Sequence, residues 1–278
     1  MLIINSIMRN NYKLDNQQET FLKGSSETTR RTTFNTDKLY WLIGFLEGDG
    51  SFIKSNDRYF FILTQNELIV LYKIKKFLGF GRVQKHGKYF RYIITVKKDL
   101  FYFINLILPF ILFNKVILRI KNCINILFFE KFNINNFNFF KNGWLSGFID
   151  SEGCFYIRLV KRLGNVCNYQ IKICFFLDQK LLKEDMLIFN NLQSQLGGYI
   201  LDRKNDNFRF CLEDDNRINC LINYLKRYPL KSHKKSIQYK HWLKCLNIKR
   251  KDKIEQKDID KVKKIKSWRY SPPIYENI

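Results

Sequence analysis

The chain of 278 residues is long enough for one large domain or two small ones, and its 46% hydrophobic content is too high for a disordered protein. Its 49 lysines and arginines against 25 acidic residues leave a net charge of +24. This surplus predicts a polyanionic partner, with nucleic acid favoured over an anionic membrane surface. The absence of alanine and the abundance of Lys, Asn, Ile and Phe indicate an AT-rich gene, as is common in organelles.

Neither a disulfide framework nor a zinc site is predicted, because the seven cysteines contain no CxxC pair and the three histidines lack metal-ligand spacing. The longest uncharged, mainly apolar run, Leu100 to Asn114, has 15 residues. A membrane span needs about 18 to 20, so we expect a buried helix there. The N-terminus has no signal-peptide pattern. We therefore expect no membrane partner.

An internal repeat organises the chain. Residues 1–36 end in the Ser/Thr-rich stretch GSSETTRRTTFN and are predicted to be an N-terminal extension or linker. WLIGFLEGDGSF at 41–52 then recurs as WLSGFIDSEGCF at 144–155. We predict a first unit over 37–132, an Asn-rich connector over 133–142, and a second unit over 143–278 that closes with a basic helix or tail.

Both units follow the same order of elements. A motif helix precedes a β-like stretch that reaches Gln65 or Gln179, and a helix-period segment then stops at Gly79 or Gly197. Two further strands and two helices complete each unit. The prediction is an α+β protein of two pseudo-two-fold-related αββαββα units, with saddle-shaped antiparallel sheets and the motif helices packed at their interface.

Small residues lie one turn apart on each motif helix: Gly44 and Gly48 in the first copy, Gly147 and Ser151 in the second. Because glycine within a helix costs about 1 kcal/mol relative to alanine, two of them require a reason. Close packing of the two helix backbones supplies one.

Each motif helix ends in two acids and a glycine, with Asp49 and Glu152 next to the last glycine. If the helices pack in parallel, these carboxylates come together at the unfavourable end of the helix dipole. Their oxygens suit a hard divalent ion such as Mg²⁺, which is a recurrent solution for phosphodiester hydrolysis. A solvated helix end is the alternative for a single copy, and the duplication favours the metal site.

The two motifs, about a hundred residues apart, resemble those of LAGLIDADG homing endonucleases in their single-chain form, and the likeness extends over residues 38 to 250. The closest similarity is to organellar group I intron-encoded members, some of which also assist splicing. The resemblance implies that Asp49 and Glu152 are the catalytic metal ligands and share two or more Mg²⁺ ions. It also implies that Glu47 and Asp150 position the helix pair.

The resemblance further implies that Gln179, with Gln65 as its counterpart, lies near the metal site and that Lys231 stabilises charge on the phosphate. Lys231 also lies in a lysine-dense segment, so an ordinary surface position is the alternative. The first half has Ile111 in place of this lysine, and its first nearby base is Lys115.

DNA recognition is expected from basic residues on the β-stretches, each of which taken singly is more often a surface charge. These candidates are Arg82, Lys85, Arg91, Arg158, Arg162, Arg203 and Arg209. The segment 231–269 holds 15 basic and four acidic residues, which favours phosphate or RNA contact over sequence readout.

The function predicted from the sequence is a monomeric, metal-dependent endonuclease that cleaves both strands of a long DNA site, encoded by a mitochondrial intron. The alternative is a non-catalytic RNA-binding protein on the same fold, either a splicing maturase that binds its own group I intron RNA or an organellar RNA-scaffold component. Intact acids in both motifs favour cleavage, whereas the basic C-terminal segment and the missing first-half lysine favour RNA.

Overall fold

The computed structural model describes residues 36–56, 58–123, 134–162 and 167–270, apart from the side chains of 135 and 268–270. The predicted N-terminal extension therefore lies outside the described residues, except for Thr36. No helix in the described part of the chain is long and apolar enough to cross a membrane.

The same order of elements occurs twice. The first half contains α1 (Thr36–Asp49), β1 (Gly50–Ser55), β2 (Arg58–Gln65), α2 (Leu68–Leu78), β3 (Arg82–His86), β4 (Tyr89–Ile94), α3 (Lys97–Ile107) and α4 (Asn114–Cys123). The second contains α5 (Trp144–Glu152), β5 (Gly153–Lys161), β6 (Tyr169–Lys180), α6 (Met186–Leu196), β7 (Tyr199–Asp202), β8 (Asn207–Leu212), α7 (Asp215–Arg227), α8 (His233–Lys249) and α9 (Gln256–Tyr270). This repetition confirms the predicted α+β fold of two αββαββα units.

Each half forms a four-stranded antiparallel sheet, in the order β1-β2-β4-β3 or β5-β6-β8-β7. Side chains alternate between the two faces of a strand. One face of each sheet is buried under helices, as in the contacts of Phe61 with Phe103 of α3 and of Phe155 with Trp242 of α8. The opposite face, called here the uncovered face, carries most of the polar strand residues.

Two of the predicted helix stops lie where expected. Gly79 follows α2 with φ of 82°, and Gly197 follows α6 with φ of 78°, both in the region that favours glycine. Within the described residues, the basic C-terminal segment forms two helices, α8 and α9.

The motif helices α1 and α5 pack directly against each other through their glycines. A Cβ atom on Gly44 would meet the Trp144 carbonyl and lie 2.9 Å from the Phe148 nitrogen. A Cβ on Gly147 would meet the Trp41 carbonyl in the same way, whereas one on Gly48 would meet the side chain of Ser151. The backbones are therefore too close for a larger residue at the two central positions.

The described part of the connector is held on α6. The Asn191 side-chain amide donates to the carbonyls of Ile134 and Phe137, and Gln195 donates to Phe137 and accepts from Phe139. Because these side chains satisfy the connector's backbone groups, it is fixed to the second half.

Candidate active site

The two carboxylates next to the last motif glycines meet at the paired C-terminal ends of α1 and α5. Asp49 is the last residue of α1, Glu152 is the last residue of α5, and β1 and β5 begin directly after them. Burial raises the pKa of both carboxyl groups, and the negative charge of Asp49 raises the pKa of Glu152 further. Two half-buried like charges that act on each other favour a cation between them.

A glutamine from the end of a long strand contacts each carboxylate. Gln65 Nε2 donates to Asp49 Oδ2 at 2.6 Å, and Gln179 Nε2 donates to Glu152 Oε1 at 3.3 Å. In both cases one carboxylate oxygen is fixed by the amide while the other remains available. The arrangement is the same in both halves.

Two lysines other than Lys231 supply positive charge near the carboxylates. Lys235 Nζ donates to the Gly153 carbonyl at 2.6 Å, and the charges of Asp49 and Glu152 act on it. Burial lowers the pKa of Lys115 to about 8, and the negative charge of Glu152 acts in the opposite direction. Burial also lowers the pKa of Lys235. These partly desolvated ammonium groups are available to a bound anion.

The structure places the predicted Lys231 amine elsewhere. Its Nζ lies 4.3 Å from the centre of the Trp41 ring, in a small cavity that also contains Lys38 and Arg227. The charges that act on it are those of Asp150, Lys38, Asp37 and Lys73, and burial lowers its pKa to about 8. Trp41 lies two turns before Asp49 on α1, so the Lys231 amine stabilises the helix pair and is not grouped with the two carboxylates.

The other two motif acids hold each motif helix to the rest of the fold. Glu47 accepts from the backbone nitrogens of Leu112 and Phe113 and from the indole of Trp144. Asp150 repeats this pattern, as its carboxylate accepts from the backbone nitrogens of Lys231 and Ser232 and from the indole of Trp41. Each acid therefore bonds to the tryptophan of the opposite motif.

Each lysine-bearing helix is capped by an acid from the opposite half. Glu67, after β2, accepts from the backbone nitrogens of His233 and Lys234 at 2.7 Å, at the start of α8. Asp185, before α6, accepts from the backbone nitrogens of Asn114 and Lys115 at the start of α4. These caps satisfy free helix N–H groups and place Lys235 and Lys115 relative to the carboxylates.

A cavity of about 290 Å³ opens beside Asp49. Its walls include Gln65, Glu67, Lys234 and Lys235. Asp150 also lines it, but the carboxylates of Glu67 and Asp150 already accept from backbone N–H groups, so Asp49 is the carboxylate that can bind a cation. The two ammonium groups can bind an anion. It can therefore accept a phosphate together with its counter-ion.

Most of the predicted nucleic-acid-binding residues lie on the uncovered faces. By the strand register, Arg82 and Arg91 share the uncovered face of the first sheet, and Arg158 and Arg209 that of the second. Lys85 pairs with Phe90 and points to the helix-covered face. Arg162 and Arg203 lie just beyond β5 and β7, where their backbone nitrogens bond to Asn168 and Asn207. Arg209 is paired with Asp178.

Residues 145–246 match the sequence profile of the LAGLIDADG endonuclease family. The match lies within the half of the chain that carries the second motif. The chain is 30% identical over 241 residues to "Probable intron-encoded endonuclease 4" of Neurospora crassa, covering 82% of this chain and 43% of that protein. It is 28% identical over 246 residues to the "Uncharacterized cox1 intron-2 37.2 kDa protein" of Schizosaccharomyces pombe, covering 83% of this chain and 72% of the relative.

The LAGLIDADG fold is also found in the solved structures. The chain superposes with a TM-score of 0.67 on "I-SmaMI bound to uncleaved DNA target in the presence of Calcium ions", at 18% identity, over 82% of this chain and 97% of that one. The chain thus spans less than half of the Neurospora relative but nearly all of the solved structure.

Sequence reasoning missed Lys235 as a site residue and missed the caps from Glu67 and Asp185. The available signal for Lys235 was its position shortly after Pro229, four residues beyond Lys231. Asp49 and Glu152 suit a hard divalent ion through their oxygens. Within the described residues, no third His, Cys, Asp or Glu joins them in a metal-binding group, so other ligands have to come from amide, carbonyl, water or substrate oxygens.

Proposed function

We propose that this protein is a site-specific endonuclease that hydrolyses both strands of a long double-stranded DNA, as a monomer, in intron homing. The observation that carries the proposal is the pair of half-buried carboxylates, Asp49 and Glu152, each contacted by a strand-end glutamine and each close to a lysine. The match to an endonuclease family and the likeness in fold to a solved DNA complex support it. Both halves of the pseudo-dimer lie in one chain, which supports a monomer.

The carboxylates Asp49 and Glu152 would hold the divalent ions, which we propose to be Mg²⁺. Bound there, such ions supply a Lewis acid that lowers the pKa of water and offsets negative charge on the phosphate. Burial raises the pKa of both carboxyl groups, and a cation bound between them would stabilise their charged forms. The calcium ions in the I-SmaMI complex with uncleaved DNA support a hard, oxygen-seeking ion.

The residues of the chain itself position the reaction. Gln65 and Gln179 fix one oxygen of each carboxylate, so the second oxygen has a defined direction. Lys235 and Lys115 are placed to stabilise the extra negative charge that develops on the phosphate during hydrolysis. The two uncovered sheet faces would bind the major groove on either side of the cleaved phosphates.

An organellar origin is part of the proposal. We propose that the chain is encoded by a mitochondrial intron, because the composition indicates an AT-rich gene and one relative is named as a cox1 intron protein. Intron RNA is a second candidate partner. The basic surplus of α8 and α9 lies on the helix-covered side of the second sheet, away from the uncovered face, so it can contact another nucleic acid.

Cleavage of duplex DNA that spans the intron-free insertion site tests the proposal. We expect a double-strand cut with Mg²⁺ and none with EDTA. D49N and E152Q should each lower double-strand cleavage at least about 100-fold while DNA binding in Ca²⁺ persists.

Asp252→Asn is the matched control, because it removes one exposed carboxylate charge from the loop between α8 and α9. It should cut like the wild type. Wild-type cutting by D49N or E152Q would contradict the assigned ligands. Tight binding of the intron RNA by a wild-type protein that cuts no DNA would replace the endonuclease with the RNA-binding function.

A further inference from the structure

Two arginines occupy equivalent places in the two sheets. Arg91 of β4 lies opposite Thr64 of β2, one residue before Gln65. Arg209 of β8 lies opposite Asp178 of β6, one residue before Gln179. By the register, both arginines lie on the uncovered faces. Their cross-strand partners directly precede the two glutamines that contact the carboxylates, so both arginines lie close to the proposed cleavage site.

Arg209 is held within the protein by three contacts. Its Nε and Nη2 atoms donate to the two oxygens of Asp178 at 2.6 and 2.7 Å, the geometry of a bidentate ion pair. Its guanidinium group lies 4.5 Å from the centre of the Phe176 ring. Arg203 also approaches Asp178, at 3.7 Å. The bonds to Asp178 raise the pKa of Arg209.

Arg91 lacks these contacts. The residue opposite it, Thr64, has no charge, and Ile62 occupies the place that Phe176 has in the second sheet. Among the described residues, no hydrogen bond or ion pair to the Arg91 guanidinium occurs, and its Nε is buried without a partner. The described strand residues on this face include no acid, as the register shows.

This difference determines which arginine can bind DNA. An arginine free of protein contacts can form two hydrogen bonds to guanine O6 and N7 in the major groove, a contact worth about 1 to 3 kcal/mol of discrimination. An arginine paired with a carboxylate must first lose two charge-assisted hydrogen bonds, so most of that gain is cancelled.

We propose that the two sheets read their half-sites unequally. Arg91 reads a guanine beside the cleavage site in the half-site bound by the first sheet, and Asp178 withholds Arg209 from the equivalent base in the other half-site. This inference rests on the proposed DNA-binding function. It assigns Arg91 as a specificity-determining residue and Asp178 as the residue that sets the difference between the halves.

Selection from a pool of randomised duplex DNA in Ca²⁺, followed by sequencing of the bound fraction, tests the inference. We expect the wild type to enrich a site with a guanine that R91A no longer requires, with about 10-fold weaker binding of the wild-type site by R91A. T64D should have the same effect, because it places a carboxylate opposite Arg91. T64N introduces an asparagine, which has nearly the shape of the aspartate in T64D without its charge, and it should keep the guanine preference.

The reciprocal change in the second sheet should add a guanine preference rather than remove one. D178N should release Arg209 and add a guanine preference at the symmetric position, and the double variant D178N/R209A should lack this added preference. Melting temperatures within a few degrees of the wild type show that each variant is folded.

The outcomes separate the inference from the proposed function. A wild type that enriches no DNA sequence contradicts both. A wild type that enriches a site while R91A keeps the same guanine preference contradicts the inference alone. If R91A weakens binding equally for all DNA sequences, Arg91 contacts a phosphate and does not read a base, which also overturns the inference.

Discussion

At the residue scale, two lysines of the segment that follows Pro229 differ in what their amines contact. Lys231 stacks on Trp41, whereas Lys235, one helical turn later, donates to the Gly153 carbonyl beside the carboxylate pair. The first residues of α8 therefore determine which lysine reaches the site. A positive charge directed at a developing oxyanion contributes strongly to the rate of reaction in a site with little water.

Lys235→Met should lower the rate of DNA cleavage about 100-fold, because it removes a charge from the phosphate-binding region while keeping the length of the side chain. Single-turnover cleavage at saturating DNA is the measurement. Lys231→Met is the matched control and should change the rate less than about 3-fold. A larger loss of rate in K231M than in K235M would return the catalytic role to Lys231.

At the element scale, the packing of α1 against α5 determines where the two carboxylates lie. The helices approach through Gly44 and Gly147, whose missing side chains leave room for the opposing backbone. The indole bonds from Trp41 to Asp150 and from Trp144 to Glu47 then fix the rotation of each helix. The positions of Asp49 and Glu152 follow from this contact.

Gly44→Ala should destabilise the fold by more than about 2 kcal/mol, because its Cβ would collide with the carbonyl and nitrogen of the opposite backbone. Gly87→Ala is the control, because no atom lies within 4 Å of its Cβ position in the turn between β3 and β4. The positive φ of Gly87 limits the cost of an alanine there to about 1 to 2 kcal/mol. Equal values for the two variants in urea unfolding would show that backbone contact does not limit the approach.

At the scale of the whole molecule, buried acids join the two halves. Glu47 is fully buried, and burial raises its pKa to about 8, against the effect of its three N–H donors. Burial raises the pKa of Asp150 to about 6 for the same reason. In the unfolded chain both groups lose their protons near their ordinary pKa values, at lower pH.

The free energy of unfolding should therefore fall as the pH rises from about 5 to about 8. The unfolded state has released protons in this range that the folded state still binds. The slope of the free energy of unfolding against pH is therefore negative. Urea unfolding across the range measures the slope. E47Q cannot titrate and should give a shallower slope, although its amide group, facing N–H donors, lowers the overall stability. Stability that increases with pH from 5 to 8 would contradict the raised pKa values.

The repeat, the order of the elements and the identity of the paired acids can all be predicted from local sequence patterns. The motif WLIGFLEGDGSF and its second copy are local patterns, and helix period, glycine stops and alternating strands follow from local sterics and burial. The small residues at Gly44 and Gly147 also indicate a close helix contact.

Which long side chains face the site depends on contacts between distant parts of the chain. Lys231 and Lys235 are both compatible with the sequence pattern, and their directions depend on Trp41 and Gly153, which lie far away along the chain. The same holds for Arg91 and Arg209, because the difference between them depends on the cross-strand partners Thr64 and Asp178. Such contacts depend on strand register and helix rotation, which residue spacing within one segment does not encode.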